Sequence, residues 1–401
     1  MKKISLALMA LFLFLSSGYA QDPFFHGSWK EVLKEAEEQN KLIFVDLYFE
    51  GCMPCDKMAK EVFPHPEVSK ILEADFISFK SDVFKEEDGA LLSRKFAAKG
   101  FPSFIFLNHE GKVIETATGY LNVKGLADTL KEMIDRAAKE DFTAFSPSLE
   151  LDYPTFYSEF FISQNRKLNR EEIKQYMDSQ TDWSQEVPFM VLSTFARGGE
   201  YDQYYWTHGE ALVDKFGYGL VSKRMYEIAQ SQIKQFGAAK QIKRAQGTIG
   251  IIKDFLNEKD ANRFTPFLLD RYYKEDPQHL WYLQEYRKLN IDNADQVFNV
   301  ISGVLQHLPK DEETLKLLKD WYEEKVMSAQ PDADQLYNYA LILALMDEEG
   351  GAKSELEKIQ IEENNTDLTT KDVELLAEVI SSGNTEGYQP KQLVKAIPLL
   401  Q

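Results

Sequence analysis

Residues 42–58 read LIFVDLYFEGCMPCDKM, and the fold turns on this passage. Leu42 to Phe49 is an apolar, β-rich run bounded by Lys41 and Gly51, which predicts a strand. A helix is expected to open near Cys52, run through Met58–Phe63 and stop at Pro64 and Pro66. The chain has two cysteines, and both lie in this passage. Any thiol chemistry therefore happens where a strand hands over to a helix.

That placement has a physical consequence. The thiolate, not the thiol, attacks a disulfide, and a free cysteine with a pKa near 8.5 is only about 3% ionised at pH 7. The free N–H groups and the dipole of a helix N-terminus favour the anion. Cys52, at the strand end, is expected to be exposed and to act as the nucleophile. Cys55, one turn in and more shielded, is expected to resolve the mixed disulfide. Pro54 suits a first helical turn, where no N–H is lost. Three other readings stay open. A zinc half-site needs two further ligands, but there is no third cysteine and the six histidines are scattered. A structural disulfide would close too small a loop to constrain much of the unfolded chain. A vestigial pair in a protein used for binding is the third.

Two outlying features bear on the same chemistry. Asp46 interrupts the apolar strand, and burial there would raise its pKa and fit it to take the Cys55 proton. The alternative is a strand-edge aspartate facing water. Gly100-Phe101-Pro102-Ser103 precedes the strand beginning Phe104-Ile105-Phe106. A proline opening a strand fits a loop with a cis bond, against an ordinary trans turn. Such a loop beside the cysteines would offer the Phe101 backbone, with Met53 and Pro54, to an extended substrate segment.

Working outward, residues 24–140 alternate helices and strands. Helices are expected over Trp29–Glu38, Leu91–Ala98 and Leu126–Ala138, and strands over Phe76–Val83, Ser103–Leu107 and Lys112–Thr118. The last two read as a hairpin turning through Asn108–Gly111. The sum is a compact α/β sandwich.

Taken together, FVDLYFEGCMPC, GFPSFIFL and GKVIETATGY resemble the thioredoxin superfamily, in the order buried Asp, Cys-x-x-Cys, cis-Pro loop and hairpin. The stretch from Lys57 to Val68 is more similar to its exported branch, the C-terminal domain of the transmembrane disulfide reductase, than to cytosolic thioredoxin. The resemblance covers about a third of the chain and implies a thioredoxin fold with redox activity at Cys52 and Cys55. There are departures. Gly51 stands where the cytosolic members usually carry Trp, and Met53-Pro54 replaces Gly-Pro. A lysine partner for the buried aspartate has no clear equivalent, Ser78 falling near its place. Pro54 before the second cysteine, as in the reducing members, favours a reductant or isomerase.

Residues 141–154, with Pro147 and Pro154, break the pattern. The expected organisation is a signal peptide over 1–20, a thioredoxin-like domain over 21–142, a linker over 143–154 and an all-α domain over 155–401. Helical segments are read at Glu171–Met177, Leu212–Phe216, Tyr226–Ile233, Gln241–Leu256, Ala294–Leu308, Glu313–Met327, Asp334–Met346 and Lys371–Ile380. Gly198–Gly199, Pro309–Asp311 and Gly350–Gly351 read as turns. No clean 34-residue period emerges, so a solenoid-like array or an irregular bundle is expected. The aromatic cluster Tyr201, Tyr204, Tyr205 and Trp206, with His208 nearby, reads as helix core, as do Trp281–Tyr282 and Trp321–Tyr322. Asp347–Glu349 and Glu362–Glu363 read as solvated surface. This half is expected to bind a client or a scaffold.

At the N-terminus, Lys2 and Lys3, the apolar run Ile4–Leu15 and small residues up to Ala20 have the layout of a secretory signal, too short to span a bilayer. A soluble periplasmic or secreted protein is expected after cleavage. The formal charge of −19 argues against nucleic acid or anionic membranes as partners. No cofactor or metal is called for. The expected partners are proteins with thiols or disulfides, together with a redox partner protein. A non-enzymatic binding or scaffold protein is the alternative.

Overall fold

In the computed structural model, residues 23–162, 167–289, 291–328, 330–361 and 366–397 are described. The expected signal segment, residues 1–20, and Glu362–Glu363 lie outside them. Contacts divide the chain into two compact units after Ile228.

The first unit is built on a four-stranded sheet in the order β2-β1-β3-β4. Its elements are α1 (Trp29–Gln39), β1 (Leu42–Tyr48), α2 (Met53–Lys57), α3 (Pro66–Asp75), β2 (Phe76–Asp82), α4 (Glu87–Lys95), β3 (Ser103–Leu107), β4 (Val113–Thr118) and α5 (Val123–Ala138). β1 pairs parallel with β2 and antiparallel with β3, and β3 and β4 form the expected hairpin. At its turn, the Asn108 side-chain oxygen accepts from the Glu110 and Lys112 N–H groups, and Gly111 takes φ +78°.

Side chains alternate across a strand, so Phe44 and Asp46 share one face of β1. On that face Phe44 stacks against Phe104, lies tilted against Phe106 and meets Phe63 edge-on, in a core with Met58, Val62, Leu72, Leu126 and Leu130. Fully burying one such side chain stabilises the fold by about 1.5–3 kcal/mol. The cysteine-bearing helix enters this core directly. After α2 the chain makes one π turn, Met58–Val62, which places Met58 and Val62 in the core.

Helix α3 was not foreseen. The expected stop at Pro64 and Pro66 holds, the first stretch ending at Val62, but Pro66 also occupies the first turn of a new helix whose N-cap is His65. Pro64 lies between the two helical stretches, and Pro66 opens the second.

Beyond the sheet the first unit continues with α6 (Thr155–Ile162), α7 (Arg170–Ser179), α8 (Glu186–Thr194), α9 (Gly199–Phe216) and α10 (Tyr218–Ala238), in which the division between units falls. These helices pack on the sheet domain. Buried Lys95 of α4 pairs with Glu186, whose other oxygen accepts from the Ser146 N–H at 2.8 Å. Glu115 of β4 accepts from the N–H groups of Tyr218 at 2.9 Å and Gly219 at 3.2 Å, satisfying free donors at the start of α10. Gly219 comes so close that a Cβ there would meet the Thr116 carbonyl oxygen at 2.0 Å.

The second unit holds α11 (Ile242–Phe255), α12 (Glu258–Glu275), α13 (His279–Arg287), α14 (Ala294–Leu305), α15 (Glu312–Lys325), α16 (Ala333–Leu345), α17 (Glu349–Leu356) and α18 (Thr370–Ser382). The region after the sheet is all-α among the described residues. One expected turn is helical instead, Gly350–Gly351 lying inside α17, whereas Gly198–Gly199, both at positive φ, leads into α9 with Gly198 as its cap. Trp321, Tyr322, Tyr282 and Tyr205 are core residues, while Tyr201 and Tyr204 are half-buried against Trp183.

Candidate functional site

Cys52 caps the N-terminus of α2 with extended backbone (φ −75°, ψ 99°), and the Cys55 N–H points at its Sγ at 3.3 Å. The two sulfurs are joined as a disulfide. Helix geometry dictates this closeness, because the cap residue and the third helical residue face each other across the first turn. Pro54 lies in that turn, as expected.

Exposure differs from expectation. Cys52 is only 4% exposed, close to Cys55 at 5%. The cap sulfur, bonded to Cys55, is as covered as its partner. Its neighbour Met53 carries the exposure instead, at 82%. With exposed Pro54 and Phe84 and half-buried Phe49 and Phe101, Met53 belongs to the apolar side chains at this end of the sheet. Phe49, Phe84 and Phe101 come from three different loops, and their ring centres stand 5.4–6.5 Å apart.

The Phe101–Pro102 bond is cis. Ser103 pairs with Leu47 in the ladder, so Pro102 and Phe101 lie level with Tyr48 and Phe49, the segment leading into Cys52. Beyond β4 the Gly119 N–H donates to the Pro102 carbonyl at 2.8 Å.

Asp46 is buried, not water-facing, and its Oδ1 has no hydrogen-bond partner. Burial pushes its carboxyl up to about 7, with the Lys80 charge opposing the rise. Asp46, Lys80 and Cys55 line one cavity of about 350 Å³, together with Tyr48, Ala59 and Phe63. The carboxyl and the second cysteine thus share a compartment.

Lys80 is the residue that the sequence reading missed. The parallel ladder sets Asp46 opposite Lys80, whereas Ser78 pairs with Phe44 and is bridged by Phe24. Aligning the two expected strands by their first residues, Leu42 and Phe76, would have found it.

Among the described residues no group of His, Cys, Asp and Glu is arranged to hold a metal ion. No helix there is long and apolar enough to cross a membrane.

Parts of this chain are similar to known proteins. Residues 29–134 match the model of the thioredoxin-like domain. Thioredoxin H3 of Arabidopsis thaliana is 35% identical over 91 residues, which is 23% of this chain and 70% of that protein. The thiol:disulfide interchange protein DsbD of Colwellia psychrerythraea is 26% identical over 120 residues, 27% of this chain. The chain spans about a fifth of the length of the DsbD relatives it matches. A disulphide isomerase structure from Xylella fastidiosa aligns at 18% identity over 28% of this chain and 98% of that one, with a TM-score of 0.25. A Cys-x-x-Cys pair on this fold is the arrangement of thiol–disulfide oxidoreductases in general. Through residues 29–134 the chain belongs to the thioredoxin family.

Proposed function

We propose that this protein is an exported thiol–disulfide oxidoreductase that exchanges disulfides with partner proteins through Cys52 and Cys55, working as a reductant or isomerase. One observation carries the reading. The Cys52 sulfur sits at a helix cap facing a backbone N–H, while the buried Asp46 carboxyl opens onto the cavity that reaches Cys55.

Starting from the dithiol, the Cys52 thiolate attacks a client disulfide. A Cys52–client bond forms, and the client's other sulfur leaves as a thiolate. The Asp46 carboxylate then takes the Cys55 proton, directly or through water in the cavity. The Cys55 thiolate attacks the Cys52 sulfur, closing the Cys52–Cys55 disulfide and releasing the second client sulfur. Two electrons have passed to the client, and a partner dithiol protein restores them. Phe101 beside cis-Pro102, with Met53 and Pro54, offers the client an extended backbone edge and apolar contacts.

The test is insulin reduction by the full chain with a small dithiol as reductant, alongside the Cys52→Ser variant. Turnover that vanishes with Cys52 supports the reading, and a rate no different from the small dithiol alone rejects it. The equilibrium potential of the pair against glutathione then sets the direction.

The burial of Cys52 favours a second reading, in which the chain binds partners and the disulfide is inert. Full partner capture by the Cys52→Ser/Cys55→Ser double variant, with no insulin turnover by the parent, would select it.

A further inference from the structure

Four cations gather beside the loop that ends in Pro102. Lys99 donates to the Thr194 carbonyl oxygen at 3.2 Å, and the Arg197 guanidinium donates to the same oxygen at 2.9 Å. Lys223 of α10 brings its Nζ to 3.5 Å from where a Cβ on Gly100 would stand. Buried Arg224 donates to the Ala196 carbonyl at 3.1 Å and pairs with Asp202 at 2.8 Å. Glu227 lies 3.5 Å from Arg197 and 3.4 Å from Arg224. Two carboxylates thus face four cations, in a chain whose formal charge is −19.

The surplus sits in a costly place. Burial and the neighbouring cations hold the Lys99 ammonium down to about 8, and burial also lowers Lys223. A further anion would relieve both. The cluster opens to solvent at Arg197 and Glu227, whose side chains are more than a third exposed.

We propose that Lys99, Lys223 and Arg197 form a docking site for acidic side chains of a client segment lying along Gly100–Pro102. The proposal rests on the disulfide-exchange reading, because that loop is where an extended client would pair. Strand residues advance about 3.3 Å each, so Lys99 and Gly100 are within one or two residues of the position facing Phe101. The preferred client carries Asp or Glu within about two residues of its cysteine. The rest of this acidic protein repels such a segment, so the local field selects where it lands.

The experiment uses the full chain and three peptides with an internal disulfide flanked by two Asp, two Ser or two Lys residues. A reduction rate at least about fivefold higher for the Asp peptide than for the Ser peptide at low salt is expected. That ratio should collapse toward one in Lys99→Gln/Lys223→Gln and in 0.5 M salt. Equal rates for the Asp and Ser peptides would overturn the docking site while leaving the redox reading intact. If no peptide is reduced, the redox reading fails, and fluorescence anisotropy with the same labelled peptides decides: affinity in the order Asp, Ser, Lys keeps the site, and equal affinities reject it. Saturable binding of inorganic phosphate with no discrimination among the peptides would assign the cluster to a small anion and also overturn the proposal.

Discussion

Asp46 and Lys80 are direct neighbours across the parallel β1–β2 ladder, and both line the cavity that reaches Cys55. Burial raises the Asp46 carboxyl, and the Lys80 charge holds that rise back. Burial against one cation leaves Asp46 near 7, poised to accept a proton at ordinary pH.

The pH dependence of stability follows from that value. Because the folded-state pKa lies above the unfolded value of 3.8, the native protein holds the Asp46 proton where the unfolded chain has lost it. The contribution is complete below about pH 4 and is lost as pH rises through about 7. Oxidised Asp46→Asn should gain on the parent by about 4 kcal/mol at pH 8, a difference that closes toward pH 4. Urea titrations at several pH values check this, and a pH-independent difference would contradict it.

Lys80→Met removes the opposing charge, so the Asp46 carboxyl should titrate above 7. Carboxyl carbon NMR of the oxidised protein reads the shift, and resolution of mixed disulfides should move to correspondingly higher pH.

The cysteine roles predict an asymmetry. Cys55→Ser should accumulate client mixed disulfides visible on non-reducing gels, whereas Cys52→Ser should accumulate few. Equal trapping by the two variants would mean that the roles are not those of cap nucleophile and resolving residue.

Two glycines should answer alanine oppositely. Gly219→Ala drives a Cβ onto the Thr116 carbonyl and should cost about 1–3 kcal/mol. Gly247, within α11 and with nothing near its Cβ position, should gain about 0.5–1 kcal/mol on the same change. Thermal or urea unfolding checks both.

Glu186→Ala leaves the Lys95 ammonium, 1% exposed, without its ion partner and should cost about 3 kcal/mol. Lys95→Met/Glu186→Leu should lose less than the two single losses together, which a double-mutant cycle measures.

Much of the sheet domain was readable in advance. The run from Leu42, the cysteines at a strand–helix junction and the proline before Phe104 each mark a local feature, and local features survive in sequence order. Lys80 did not, because its importance is a relationship across a ladder whose neighbours are chosen by packing. Helix α3 was hidden because a proline reads as a stop, whereas Pro66 sits in the first turn of a helix, where it is tolerated. The burial of Cys52 depends on what packs around the helix end, which the spacing of the cysteines does not place in space. The cations beside Gly100 come from Lys99 and from residues about a hundred positions later, so no window of sequence contains them.

The cover on β4 bears on how the chain can be divided. Thr143 takes the Val113 carbonyl at 2.8 Å, and Gly219 lies against that of Thr116, so later parts of the chain already occupy the outer rim of this border strand. A fragment trimmed to residues 21–142 would bare that rim and invite self-association. Clumping of such a fragment would report a newly cut seam, not the task of the portion removed.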